Sequence, residues 1–169
     1  WMLADTYDHI SVIYFDLNDK KQAQYYQRKA LDIYRELNHK DGIAKEMVNI
    51  AISSYDDHTE AIAAFQEAVT YCKAVDNKVA LARAHQNLSY HFLLQKDYRS
   101  SYWHAQQGLE IEKEINNINN SMLLNFSMAD VLIYCDEKDL ISFGVEPDKR
   151  YEKAKEYVHT AMALDNGLT

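Results

Sequence analysis

Asn49, Asn87 and Asn125 stand 38 residues apart, and each offers a carboxamide that both donates and accepts hydrogen bonds. A series of this kind can serve the amides of an extended peptide irrespective of its side chains. The alternative is that these asparagines bond neighbouring helices or face water. Asparagine has only middling helix propensity, so its return at one phase calls for a reason. Lys45 and Arg83 precede two of the asparagines by four residues, the spacing that puts side chains on one helical face. Cation and amide together could receive a carboxylate, either an acidic side chain or a peptide C-terminus, with the guanidinium making a two-pronged contact. The plainer reading is a solvated face of mixed charge. None of the seven histidines sits in an H-E-x-x-H spacing, and His85, His91 and His104 fall on helical stretches without a recurring acidic partner. Asp5 and His9 lie one turn apart, a two-residue arrangement too common to define a metal site. With no glycine-rich phosphate loop and no nucleophile elbow, the sequence offers no catalytic candidate and calls for no cofactor.

The elements that must position these residues are marked by pairs of small side chains seven apart: Ala23 with Ala30, Ala61 with Ala68, Ser101 with Gly108, and Ala154 with Ala161. Residues seven apart fall within about 20° of each other on a helix, so each pair makes a narrow stripe where another backbone can come close. The pairs begin 38, 40 and 53 residues apart, a repeat period with one insertion in its last interval. A chain built this way predicts an array of similar units.

Composition narrows the class. One proline and four glycines are too few to punctuate a β-rich chain, so helices are expected throughout the 169 residues. A formal net charge of −8 and the lack of a basic run argue against nucleic-acid binding by this segment. No apolar run approaches the roughly 18 residues of a membrane span, and no signal peptide is evident. Cys72 and Cys135 fit no metal or redox spacing and read as small buried residues. The chain opens WMLADTYDHI, already inside a helical pattern and without methionine at position 1, which suggests an excised piece of a longer protein; the expected location is cytoplasmic.

Four helical hairpins follow, at about 2–40, 41–77, 78–117 and 118–166. Met2, Leu3, Tyr7, Ile10, Ile13, Tyr14 and Leu17 recur at three- and four-residue steps and predict the buried face of the first helix. Asn18-Asp19 supplies a break and an N-cap, and residues 38–42 end the second helix. The turn at Asp56-Asp57-His58 is about two residues shorter than its counterpart in the first hairpin. The span from Ser127 to Ala154 is 27 residues where Ser89 to Ser101 takes 12, so about 15 have been added, and Gly144 with Pro147 predicts a loop near 135–150. A final helix runs over 151–164, with Asn166-Gly167 as its C-cap.

These residues resemble the tetratricopeptide repeat in a longer-period form of about forty residues per hairpin. The family's first-helix pattern is matched by Tyr7-Asp8-His9-Ile10-Ser11 with Tyr14, Met47-Val48-Asn49-Ile50-Ala51, His85-Gln86-Asn87-Leu88-Ser89 with Phe92, and Leu123-Leu124-Asn125-Phe126-Ser127. The small-residue pairs match its second helix. Gln27 and Ser54 depart from it, and the proline that often ends a hairpin is missing from the first three. The resemblance implies an all-α, right-handed superhelical array whose first helices line a concave groove. Projected on that groove are Asp5, Asp8, His9, Lys45, Asn49, Arg83, Gln86, Asn87, Tyr90, Ser121 and Asn125. Lys45 and Arg83 are then similar to part of the carboxylate clamp of some family members, and Asp5 with Asp8 would make one end of the groove acidic and give a bound peptide a direction.

The function expected is a non-catalytic module that binds a peptide or partner segment in the groove. It would be the sensor or scaffold part of a larger protein, similar to bacterial regulators. A competing expectation is self-association through apolar terminal hairpins. An enzyme acting through a side-chain carboxamide, as in some phosphatases of the family, ranks third.

Overall fold

The computed structural model describes residues 2–54, 57–117 and 120–165, apart from the side chains of Ser54 and Asp165, and among them every regular element is helical. The helices are α1 (Met2–Asp16), α2 (Lys20–Glu36), α3 (Lys40–Ser54), α4 (His58–Ala74), α5 (Lys78–Leu94), α6 (Tyr98–Glu114), α7 (Ser121–Tyr134), α8 (Glu137–Ser142) and α9 (Arg150–Asp165), with a 3₁₀ turn at Pro147–Lys149 before α9. Contact between elements divides the chain into two compact units, residues 1–80 and 81–169.

Five of the helices, α1, α2, α4, α5 and α6, end by one recurring device. Asn18, Asn38, Asp76, Lys96 and Asn116 all adopt positive φ, between 50° and 61°. Asparagine and aspartate visit this left-handed region more readily than other non-glycine residues, and four of the five positions use them. The next N–H then reaches back to a carbonyl five residues earlier: Asp19 to Tyr14 at 2.8 Å, His39 to Tyr34 at 2.8 Å, Asn77 to Cys72 at 3.0 Å, Asp97 to Phe92 at 3.0 Å and Asn117 to Glu112 at 2.9 Å. This is the Schellman closure, which satisfies carbonyls the helix leaves open. An aspartate starts the next helix at Asp19, Asp57 and Asp97, whose side chains accept from Gln22, from Thr59 and Glu60, and from Ser100. Asn18-Asp19 thus combines a stop with a start, as its residue types predict.

In the first unit, Ala4, Ala30, Leu31, Tyr34 and Ile43 form a buried cluster against which Tyr7, Met47, Ile50 and Tyr71 pack. Ala23, Ala30, Ala61 and Ala68 are all fully buried. The face predicted for α1 is corrected: Met2, Leu3, Ile13 and Leu17 are exposed, while Ala4, Asp8 and Ser11 are buried. Small side chains let α1 come close to its neighbours, and Tyr14 stacks on Tyr26 with centroids 5.5 Å apart, so the bulky aliphatic residues fall on the other side. Residues 38–42 do not all terminate a helix, because Gly42 already lies in the first turn of α3. A Cβ there would sit 2.4 Å from the Tyr34 ring, so the glycine permits a close approach of α2 and α3. Gln27, a departure from the repeat pattern, is buried and accepts from Ser53 Oγ at 2.5 Å, while Gln24 donates to the Ser53 carbonyl at 2.8 Å. Two glutamines therefore hold α2 to α3 where an apolar residue was expected.

In the second unit the core is formed by Tyr102, Ala105, Leu124, Met128, Val131, Leu132, Leu140 and Ala154, among others. Ser101, Gly108, Ala154 and Ala161 are buried, and a Cβ on Gly108 would meet Leu124 at 2.9 Å. The segment predicted as a loop near 135–150 instead folds. Asp136 caps α8, Leu140 is fully buried, and Phe143 stacks on Tyr102 with centroids 4.0 Å apart and planes 10° from parallel. Arg99 pairs with Asp139, and Arg150 Nη2 donates to the Cys135 carbonyl at 2.9 Å. Gly144 supplies a positive-φ turn directly after α8, and Pro147 starts the 3₁₀ turn. The apolar triplet Leu140, Phe143 and Val145 gives the inserted stretch a face to bury, which overrides its turn residues. The tip of the turn before Asp57 and the expected cap at Asn166-Gly167 lie outside the described residues. Among those described, no helix is long and apolar enough to cross a membrane.

Candidate functional site

Within the first unit, three of the sequence-predicted residues converge. Asp8 on α1 is buried; one of its carboxylate oxygens pairs with Lys45 Nζ on α3, and the other accepts from Asn49 Nδ2 at 3.2 Å. Lys45 and Asn49 share a face of α3 through their four-residue spacing, so one aspartate can meet both. The lysine cation that the sequence offered to a ligand carboxylate therefore pairs with a carboxylate of the same unit. Asn49 also donates to Glu46 Oε1 at 3.4 Å. Asp5 accepts from the Tyr34 hydroxyl at 2.5 Å, and His9, exposed on α1, does not join the cluster. Burial, followed by the hydrogen bond to Asp5, raises the Tyr34 hydroxyl above its ordinary range, so it donates as a neutral phenol.

Glu46 is the member of this cluster that sequence reasoning missed. It is fully buried, and its Oε2 has no hydrogen-bond partner. Burial first, then the negative charge of Asp8, raises its carboxyl to about 8, with Lys45 and Asn49 pulling the other way. A neutral, protonated Glu46 beside a charged Asp8 is the arrangement that two buried carboxyls reach when one cation serves both. The available signal was a glutamate three residues before Asn49 on the same helix.

Within the second unit, α5 carries Arg83, Gln86, Asn87 and Tyr90 inside an arc of about 100°. The first three are half-buried and Tyr90 is exposed. Asn87 Nδ2 donates to the Arg83 carbonyl at 2.9 Å and to Gln86 Oε1 at 3.3 Å, so the carboxamide is held against its own helix. Tyr90 lies edge-on to His91, with centroids 5.6 Å apart. Asn125 on α7 is buried and donates to the Ser121 carbonyl at 2.7 Å. Asn125 and Ser121 also line a cavity of about 390 Å³ with Lys113, Asn116 and Thr160. The three asparagines divide between the units, Asn49 in the first, Asn87 and Asn125 in the second.

Two histidines that showed no acidic partner in sequence meet each other instead. His85 on α5 and His104 on α6 are buried with their Nδ1 atoms 2.9 Å apart, and Phe92 stacks on His104. One Nδ1 donates to the other, and the contact pins α5 to α6. Cys72 and Cys135 are buried thiols; burial pushes Cys72 up to about 11 and raises Cys135, away from the reactive thiolate. Among the described residues, no group of three histidine, cysteine, aspartate or glutamate side chains could hold a metal ion.

Compared with protein-family models and with curated proteins, the chain matches none.

Proposed function

We propose that this chain is a non-catalytic binding module, an array of tetratricopeptide-like hairpins in a right-handed superhelix, acting as the sensor or scaffold segment of a larger cytoplasmic protein. It recognises a peptide or partner segment, and the recognition surface centres on α5. The observation that carries this reading is the α5 face, where Arg83, Gln86, Asn87 and Tyr90 bring a guanidinium, two carboxamides and an aromatic ring together on accessible surface. These groups complement a peptide's carboxylates, amides and apolar side chains. Asp8, Lys45 and Asn49 contribute less directly, because they are bonded to one another. The recurring stop-and-start device at the helix ends and the burial of all four small-residue pairs support the repeat reading.

The test is to pan a peptide library against the chain and to measure recovered ligands by calorimetry on wild type, Asn87→Ala and Arg83→Gln. Both variants should keep the wild-type melting temperature and lose affinity by roughly five- to a hundredfold. Unchanged affinity in both would remove α5 as the recognition surface.

A second reading, self-association, is favoured by the outer face of α1. Leu3, Ile13 and Leu17 are 56%, 58% and 70% exposed, more aliphatic surface than a solvated helix usually presents. Light scattering on wild type and Ile13→Asp decides: a dimer that becomes a monomer in the variant favours this reading, and a wild-type monomer removes it.

A further inference from the structure

We infer that the C-terminal ends of α5 and α7 form a receptor for an organic cation, a guanidinium or ammonium group carried on an apolar stem. The site is a cavity of about 430 Å³ in the second unit, lined by Leu93, Leu94, Lys96, Tyr98, Asp130 and Tyr134. It shares no residue with the α5 recognition face and does not depend on it.

Asp130 supplies the charge. It precedes Tyr134 by four residues on α7, so carboxylate and ring share a face of that helix. No hydrogen bond or ion pair engages the carboxylate among the described residues. The side chain is exposed at the cavity mouth, and desolvation by the surrounding protein raises its pKa. A cation brought beside it would favour its charged form. Tyr98, at the start of α6, and the exposed Tyr134 add two ring faces, which attract cations through their quadrupoles. Leu93 and Leu94 give an aliphatic stem something to lie on, as long basic side chains require.

The backbone acts in the same sense. Leu94 is the last residue of α5 and Tyr134 the last of α7, and helix C-termini carry partial negative charge that favours cations. At longer range, the formal charge of −8 draws cations toward the protein. One group works against the site: Lys96, in the left-handed turn after α5, lines the same cavity yet forms no ion pair with Asp130. It is the protein's own competitor, and its removal should help a ligand. With two rings and one carboxylate, a planar guanidinium fits better than a compact ammonium, because it can stack and hydrogen-bond together.

Such a cation could be an arginine side chain of a partner peptide or a free amine. Titration of the isotope-labelled 169-residue chain with N-acetyl-arginine amide, agmatine and N-acetyl-citrulline amide, followed by NMR, tests the site. Shifts should concentrate at Leu94, Tyr98, Asp130 and Tyr134 for the charged probes and be missing for citrulline, which has arginine's shape without its charge. Asp130→Asn should weaken binding about tenfold or more, Tyr134→Ala by about two- to fivefold, and Lys96→Met should tighten it by about threefold. Asp130 and Tyr134 are exposed, and the core resonances of Met128 and Leu140 report that each variant is folded. Agmatine binding more tightly than capped arginine identifies a free amine as the ligand class, and equal binding or preference for the capped residue identifies a peptide side chain. Equal binding of citrulline and arginine, or full affinity in Asp130→Asn, overturns the inference.

Discussion

Replacing Glu46 by glutamine should change how the first unit responds to pH. Glu46 is fully buried, its Oε2 is unpartnered, and burial together with the charge of Asp8 raises its carboxyl from 4.5 to about 8. At neutral pH the folded protein therefore holds a proton that the unfolded chain releases. The stabilisation from this group is fully present below about pH 4.5 and is lost as pH rises through about 8. One pKa unit corresponds to about 1.4 kcal/mol, so between pH 5 and 8 the loss is on the order of 3–4 kcal/mol. Glu46→Gln puts a neutral group of the same shape in that place; its carbonyl can still accept from Asn49, and its amide can donate toward Asp8. The variant should match wild type within about 1 kcal/mol at pH 5 and exceed it by about 2–4 kcal/mol at pH 8. Urea unfolding followed by circular dichroism from pH 5 to 8.5 measures the difference, and hydrogen exchange at α1 and α3 amides assigns it to the first unit. Parallel pH curves for the two proteins, or wild type gaining on the variant as pH rises, would refute the reasoning.

Gly42→Ala should destabilise the first unit by about 1–3 kcal/mol, because the new methyl meets the Tyr34 ring and must displace a side chain that also holds Asp5; an unchanged melting temperature would show that α2 and α3 are not in close contact there. Asp97→Ala removes the acceptor for Ser100 N at 3.1 Å and should cost about 1 kcal/mol, with fraying confined to the first turn of α6 in hydrogen exchange. Phe143→Ala removes the stack on Tyr102 and should free α8, so that limited proteolysis moves into residues 137–149 while α7 and α9 stay protected; cleavage spread evenly over the second unit would mean that the insertion is not a separate flap.

Much of the fold could be read from the chain because its signals are local. The turn pairs Asn18-Asp19 and Lys96-Asp97 place a left-handed stop beside an N-cap, and both act within one turn of helix. The small-residue pairs were legible for a related reason: Ala23, Ala30, Ala61 and Ala68 are fully buried, and close contact between helices leaves room for little else. The face of α1 was misread because its apolar residues lie nearly all round the helix, so three- and four-residue steps fit more than one stripe. What decided between them was non-local, a buried Asp8 whose cation and amide partners arrive 37 and 41 residues later. The insertion was misread in the opposite direction, with Gly144 and Pro147 outweighing Leu140 and Phe143 although the apolar pair finds a core to join.

The candidate site was harder to read than the fold, for a physical reason. A side chain able to recognise a peptide is equally able to satisfy its neighbours, and Lys45 and Asn49 are bonded to Asp8 while Asn125 is bonded to Ser121. Residue type and spacing carry the capacity to bond; they do not say whether the partner comes from within or from outside. Burial separates the cases. Where a polar group is buried and its bonds are met, as at Asn49, engaging a ligand would first require breaking them, which subtracts about as much as the new bonds return. Where it stays partly accessible, as along Arg83, Gln86, Asn87 and Tyr90, a ligand can add contacts without first opening a buried network. An alanine at position 87 should therefore be felt in binding and hardly in stability. An alanine at position 49 should be felt in stability first, since it leaves Asp8 and Glu46 buried without their shared donor.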